Sequence, residues 1–226
     1  MLTLYTANTP NGQKATIALR ELGLEHELLH VNLNAGEQHR PPFSEMSPNH
    51  KIPLLVDDGL PIFESGAILI HLADRAGRLL PASGAARNEV LQWLFLQVAS
   101  IGPMLGQLWY FRHAGGTPNE GALERYGREV RRLYGVYEER LAGREWLAGD
   151  GYSIADIAAF PWLRSYGELG LPISDYPAVM AWLARIEARP AVQQGLVDAV
   201  PPAQAVRAAA PSAQAAAACR TRMITG

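Results

Sequence analysis

The stretch "KIPLLVDDGLPIFESGAILIHLADRAG", residues 51–77, changes pattern three times. Pro53 has no N–H for a ladder, so it belongs at a strand start or on an edge. Asp58-Gly59 sits between two apolar runs, a strong hairpin signal because the turn calls for positive φ. From Ser65 the apolar residues recur at helical spacing until Gly77, a natural stop. Residues 51–64 therefore read as two antiparallel strands and 65–77 as a helix.

Towards the N-terminus, Leu2-Thr3-Leu4-Tyr5 reads as a strand. Residues 12–23 carry Ala15, Ala18, Leu19 and Leu22 at helical spacing and close at Gly23. "HELLHVNL" (26–33) reads as a second strand. A helix between two strands implies a parallel pair with a right-handed crossover, to which the hairpin adds antiparallel strands. The first unit, 1–80, is thus α/β with a mixed four-stranded sheet.

After a short linker, 78–86, strand signals stop. Leu91, Leu94, Phe95 and Val98 form one helical stripe; Leu123, Tyr126, Val130, Leu133, Tyr137 and Leu141 form another. A further helix starts at Ser153, its N-cap, with Asp156 as a shortened capping-box acid and Tyr152 and Ile157 as a staple. Pro161 should kink it. "YPAVMAWLARIEARP" (176–190) turns Val179, Trp182, Leu183 and Ile186 inward. Residues 87–200 are expected to form an all-α bundle of about five helices. From Pro201 on, the chain is mostly Ala, Pro and small polar residues, too poor in bulky apolar surface to offset ordering entropy, and 201–226 reads as a mobile tail.

Composition narrows the function. Among 226 residues 48% are hydrophobic and 19% charged, with a net charge of −2, so nothing favours nucleic acid or an anionic membrane as a partner. No apolar run is long enough for a membrane span, and the first residues lack a signal-peptide pattern, which gives a cytoplasmic expectation. The one cysteine, Cys219, makes neither an internal disulfide nor a structural zinc site. It lies in the tail, a poor place for a catalyst.

The turn Thr9-Pro10-Asn11-Gly12 joins a strand to a helix without a cysteine. Read alone it is turn chemistry, with Asn11 capping the helix. Thr9 also offers an O–H, Asn11 an amide N–H, and Gly12 room for close approach of a ligand. Ser65 opens the helix after the hairpin: it caps that helix, and the free N–H groups there are a ready carboxylate site. Gln38, Lys51 and Arg125 are ordinary surface residues taken singly, and an Ile52–Pro53 bond is usually trans.

Three motifs together, "NHKIPLL" (49–55), "FESGAIL" (63–69) and "SIADIAAFPW" (153–162), make the chain resemble the glutathione transferase superfamily from residue 1 to about 200. "TPNGQK" (9–14), "GEQHRPPFSEMSPNHKIP" (36–53), "LQWLFLQVASIGPMLGQ" (91–107) and "ERY" (124–126) are most similar to the bacterial Nu class, and the yeast prion-forming nitrogen regulator shares much of this. The resemblance implies a thioredoxin-like first domain with a cis bond at Pro53. It implies glutathione or its disulfide as co-substrate, no metal, and a homodimer. It places Ser65 on the γ-glutamyl carboxylate and Glu64 opposite the ammonium. It puts Gln38, Lys51 and Ile52 around the cysteinyl-glycine part, the Ile52 main chain pairing with the peptide. Arg125 is placed on a helix reaching across the dimer interface. Thr9 and Asn11 become the catalytic pair, hydrogen-bonding the ligand's thiolate, Asn11 also being a glutathione contact. Tyr5, inside the first strand, is a poorer choice. Trp109, Tyr110, Phe111 and His113 end the first helix of the second domain, whose end faces the second-substrate pocket in this fold, or they simply pack. The activity implied is disulfide-bond reduction with two glutathione molecules or one glutathione disulfide in the site, alongside organic-hydroperoxide reduction and weak conjugation. Two alternatives stand beside it: a conventional transferase acting on electrophiles, and a non-catalytic glutathione-binding regulator.

Overall fold

The computed structural model describes residues 1–149 and 151–202. Cys219 and nearly all of the Ala-rich tail fall outside the described residues. The chain opens with β1 (Leu2–Thr6), α1 (Pro10–Leu22), β2 (His26–His30), a short α2 (Phe43–Met46), β3 (Leu54–Asp57), β4 (Leu60–Phe63) and α3 (Ser65–Ala76). The sheet runs β2-β1-β3-β4, with β1 parallel to β2 and antiparallel to β3, and β3 antiparallel to β4. This is the expected mixed four-stranded sheet. β2 ends at His30, three residues before its apolar pattern does, and Val31 N–H still bonds Thr6 O at 2.8 Å.

Alternation across the sheet separates two apolar clusters. Leu4 and Leu55 join Ile17, Leu19, Ile68, Leu69 and Leu72 in the main core, while Tyr5, Leu54 and Ile52 face Val31 and Phe43 in a smaller one. The Ile52–Pro53 peptide bond is cis, and so is Pro41–Pro42, which no sequence signal announced.

Helix starts correct two readings. α1 begins at Pro10, where a missing N–H is no loss. Its N-cap is Thr9, whose Oγ1 accepts from Gly12 N–H at 3.2 Å, so Asn11 is not the cap. Ser65 is likewise the first residue of α3 and not its cap; Glu64 takes that place without a side-chain bond, at φ 72. Gly12 is needed for chain packing and not for ligand approach: a Cβ there would meet Ala7 O at 2.1 Å and Thr6 Oγ1 at 2.6 Å.

The second half holds α4 (Gly84–Leu96), α5 (Gly102–His113), α6 (Glu120–Leu141), α7 (Ile154–Leu163), α8 (Pro177–Glu187) and α9 (Pro190–Asp198). The stretch read as one helix through residue 113 is two, joined by a π turn over Gln97–Ile101. Gly102 N–H reaches back to Gln97 O, an i→i+5 bond. Pro103 accounts for the widening, since it gives no N–H to the turn before it. Phe95, placed in the stripe, is 57% exposed. α7 runs through Pro161 for two more residues and passes into a 3₁₀ turn at Arg164–Gly167.

Asp156 ties the bundle together. It is fully buried; Oδ2 accepts from Ser153 N–H and Oγ–H at 3.0 Å, and Oδ1 from Leu147 N–H at 3.0 Å and Trp182 Nε1–H at 2.9 Å. Burial nonetheless holds its pKa above the usual carboxylate value, the bonds pulling the other way. The helical half is also fastened to the first: a Cβ on Gly195 of α9 would meet Ile17 Cα at 2.6 Å, so α9 lies directly on α1.

Candidate functional site

Between the sheet's end and the bundle lies a cleft of about 900 Å³. One wall is polar: Thr9 and Asn11 from the turn before and into α1, then Gln38, His39, His50, Lys51 and Ile52. The other wall, from α5, α7 and the 3₁₀ turn after it, carries Leu105, Gly106, Trp109, Pro161, Trp162 and Glu168. A polar recess of about 70 Å³ opens from it, lined by Asn11, Ser47, Asn49, Lys51, Ile52, Pro53, Phe63, Glu64 and Ser65. Of the residues picked from the sequence, Thr9, Asn11, Gln38, Lys51, Ile52, Pro53, Glu64 and Ser65 thus meet at one place. Arg125 does not join them. It is exposed on α6, away from both cavities.

Each wall owes its chemistry to local geometry. Thr9 Oγ1 is held as an acceptor by Gly12 N–H, which leaves its own O–H to donate into the cleft. Asn11 Oδ1 accepts from Trp162 Nε1–H at 3.0 Å. An indole N–H only donates, so this contact fixes the amide's orientation and leaves Nδ2 as the donor Asn11 brings to the cleft. Trp162 reaches across because α5 has a glycine beneath it; a Cβ on Gly106 would stand 3.3 Å from the indole Cη2. With the main-chain N–H of Asn11, the one donor of the first turn of α1 without a partner among the described residues, Thr9 and Asn11 make a small anion-binding corner.

At the recess, Ser65 leads α3 with the unpaired N–H groups of the first turn, and is 8% exposed. Glu64 sits beside it in the left-handed region, which for a non-glycine costs on the order of 1–3 kcal/mol and clusters at functional sites. Among the described residues no hydrogen bond engages the main-chain N–H or C=O of Ile52, whereas Ser47 Oγ–H donates to the neighbouring Lys51 O at 3.3 Å. Gln38 Oε1 and His50 Nδ1 are buried polar atoms without partners on the same wall. His50 packs against His39 in a tilted arrangement, ring centroids 5.5 Å apart. Beneath Ser65 lies Lys14, only 1% exposed, its Nζ 3.3 Å from Ser65 Oγ and 2.7 Å from Gln97 Oε1. No cluster of three or more His, Cys, Asp or Glu side chains suited to a metal exists among the described residues.

Comparison with known proteins gives this arrangement its context. Residues 1–74 match the glutathione S-transferase N-terminal domain model and residues 99–190 the C-terminal domain model. The disulfide-bond oxidoreductase YfcG of Escherichia coli K12 is 47% identical over 206 residues, covering 88% of this chain and 96% of YfcG. The chain belongs to the glutathione S-transferase family. A glutathione transferase from Burkholderia graminis, solved with two glutathione molecules bound per subunit, superposes on this family member with a TM-score of 0.82 at 48% identity, over 86% of this chain and 87% of that one. The transcriptional regulator URE2 of Saccharomyces cerevisiae is 34% identical, covering 86% of this chain and 67% of URE2.

In this transferase-family chain the aromatic end of α5 divides in two. Trp109 lines the cleft and donates Nε1–H to Glu168 Oε2 at 2.8 Å. Phe111 stacks on Tyr126 of α6 at 5.7 Å, and His113 bonds Glu168 O at 2.8 Å, so these two pack. The sequence reading missed Lys14, Gln97 and Trp162 as members of the site. Lys14 did leave a signal, for it stands one turn before Ala18, on the apolar stripe of α1.

Proposed function

We propose that this protein is a glutathione-dependent disulfide-bond oxidoreductase whose reacting thiols belong to glutathione and not to the chain. The observation that carries the reading is the anion-binding corner at Thr9 and Asn11, built without a cysteine at the head of a cleft large enough for peptides. Its volume is at the upper end of the roughly 300–1,000 Å³ typical of small-molecule sites. Two glutathione molecules in a relative's subunit and the disulfide-bond oxidoreductase activity in YfcG's name favour the same reading.

In this account Ser65 and the first N–H groups of α3 take the γ-glutamyl carboxylate, with Glu64 opposite the ammonium. The Ile52 main chain pairs with the peptide backbone as in strand addition, and Gln38 and Lys51 face its cysteinyl-glycine part. One glutathione thiolate attacks a disulfide sulfur of R–S–S–R, expelling one RS⁻ and forming the mixed disulfide. A second thiolate attacks the glutathione sulfur of that intermediate, giving glutathione disulfide and the other RS⁻. Both leaving thiolates take up the protons lost by the two glutathione thiols.

The energies suffice. A thiol near pKa 8.5 is only a few per cent ionised at neutral pH. Lowering it two units takes about 2.7 kcal/mol. A hydrogen bond to the charged sulfur supplies roughly 1.5–3 kcal/mol, and the start of α1 adds about 0.3–2 kcal/mol. The Thr9 hydroxyl and Asn11 Nδ2, plus the helix, therefore cover the requirement.

Within this reading the protein is of the Nu type, cytoplasmic and homodimeric, with Arg125 facing the partner's ligand. Exposed Leu60 and Phe63 on β4 and Phe95 on α4 supply apolar surface for such an interface. Hydroperoxide reduction and conjugation are lesser activities of the same thiolate. A regulatory reading is favoured by the likeness to URE2. Steady-state reduction of hydroxyethyl disulfide by glutathione separates them: Thr9→Ala and Asn11→Ala should each lower kcat/KM about 10- to 150-fold, as loss of one bond to a charged atom implies. A chain that binds glutathione without turning over any disulfide or peroxide is a regulator.

A further inference from the structure

Lys14 is a charged side chain that the reaction above does not use, and it is buried where three segments meet. α1 supplies it, α3 presents Ser65, and the π turn carries Gln97, itself 0% exposed, onto it at 2.7 Å. A buried ammonium is costly unless paired, yet its two hydrogen-bond partners are both neutral. Ammonium only donates, so Ser65 Oγ is an acceptor towards Lys14 and its own O–H is left to point into the recess. The carboxylate acting on Lys14 is Glu64, beside Ser65. The π turn presents only the neutral amide; Asp156 of α7 is taken up by Leu147, Ser153 and Trp182, and Glu21, Arg20 and Asp198 form pairs at the far end of α1.

We propose that Lys14 is the buried counter-charge of the recess, a positioning residue that orients the Ser65 hydroxyl towards an amino-acid carboxylate and takes up a proton when that carboxylate binds. The proposal rests on the glutathione reading of the site and deepens it. Desolvation brings the Lys14 pKa down to about 7, with Glu64 holding it from falling further. A carboxylate seated on Ser65 adds a negative charge within a few ångströms and raises that pKa again. The ligand therefore binds the protonated form better, so affinity is full below the free-site pKa and falls as pH rises above it. The π turn acquires a purpose here: it turns an amide oxygen of the helical half into the floor of the sheet half's recess.

The test uses glutathione disulfide, which has no thiol proton, titrated calorimetrically at pH 6.5 to 8.5 in buffers of differing ionisation enthalpy. The wild-type protein should take up a fraction of a proton per site near pH 7.5, and its Kd should rise on the order of 10- to 30-fold between pH 6.5 and 8.5. Lys14→Met should bind weakly with no such slope. Gln97→Leu leaves the lysine but removes its acceptor, and should move the midpoint of the profile to lower pH. Tight wild-type binding with a flat profile, or a slope that survives in Lys14→Met, overturns the role of Lys14 alone. Failure of the wild type to bind the disulfide at any pH overturns the glutathione reading, and this proposal with it.

Discussion

Replacing Trp162 with Phe removes the indole N–H, so Asn11 Oδ1 loses its donor, together with the outer part of the indole that lies over Gly106. The side-chain amide is then free to flip. In one orientation Nδ2 reaches the thiolate; in the other Oδ1 faces it and repels it. A free choice between two orientations alone costs about a factor of two. The ceiling is the whole Nδ2 bond, about 1.5–3 kcal/mol for a bond to a charged acceptor, or about 10- to 150-fold at 1.36 kcal/mol per decade. The kcat/KM of Trp162→Phe for disulfide reduction should fall between these bounds, with a modest loss of thermal stability from the indole packing removed. A double-mutant cycle decides the cause. If the indole works through Asn11, adding Trp162→Phe to Asn11→Ala should cost nothing more. An equal loss in both backgrounds would refute the reasoning, since the tryptophan would then act on the ligand by itself.

Two further outcomes follow from the same geometry. Asp156→Ala strands the N–H groups of Leu147, Ser153 and Trp182 in the core; at about 1–3 kcal/mol each it should cost at least 3 kcal/mol in chemical denaturation, whereas Asp156→Asn, which keeps one carbonyl oxygen, should cost less. Ser65→Ala removes a contact made equally in ground and transition states, so in steady-state assays it should raise KM for glutathione several-fold and leave kcat near the wild-type value.

Much of this was legible in the sequence because the relevant signals are local. Asp58-Gly59 fixes the hairpin, Ser153 with Asp156 fixes the start of α7, and Val179, Trp182, Leu183 and Ile186 mark the inner face of α8 by spacing alone. Asn11, Glu64 and Ser65 stand at strand-to-helix junctions, where main-chain N–H groups can be left unpaired, whereas Lys51 and Ile52 are ordinary residues taken singly and were placed by the family resemblance alone. What escaped depends on contacts far apart in the chain. Lys14 meets Gln97 across 83 positions and Asn11 meets Trp162 across 151. Periodicity reports which face is inward, not what an inward lysine finds there. The cap at α1 was misassigned because Thr9 and Asn11 are both good N-cap residues; Pro10 at the first helical position decides it, leaving Thr9 outside and Asn11 inside. The π turn stayed hidden because a helix and a π turn share nearly the same apolar spacing over five residues, and only Pro103 hinted at it.

The central claim is that the reacting sulfur arrives with the ligand. Cys219 is the chain's one thiol, so Cys219→Ala assayed with glutathione and hydroxyethyl disulfide, beside the wild type, tests it most directly. Equal kcat and KM in the two proteins is the predicted result. Loss of turnover in the cysteine-free chain would contradict it.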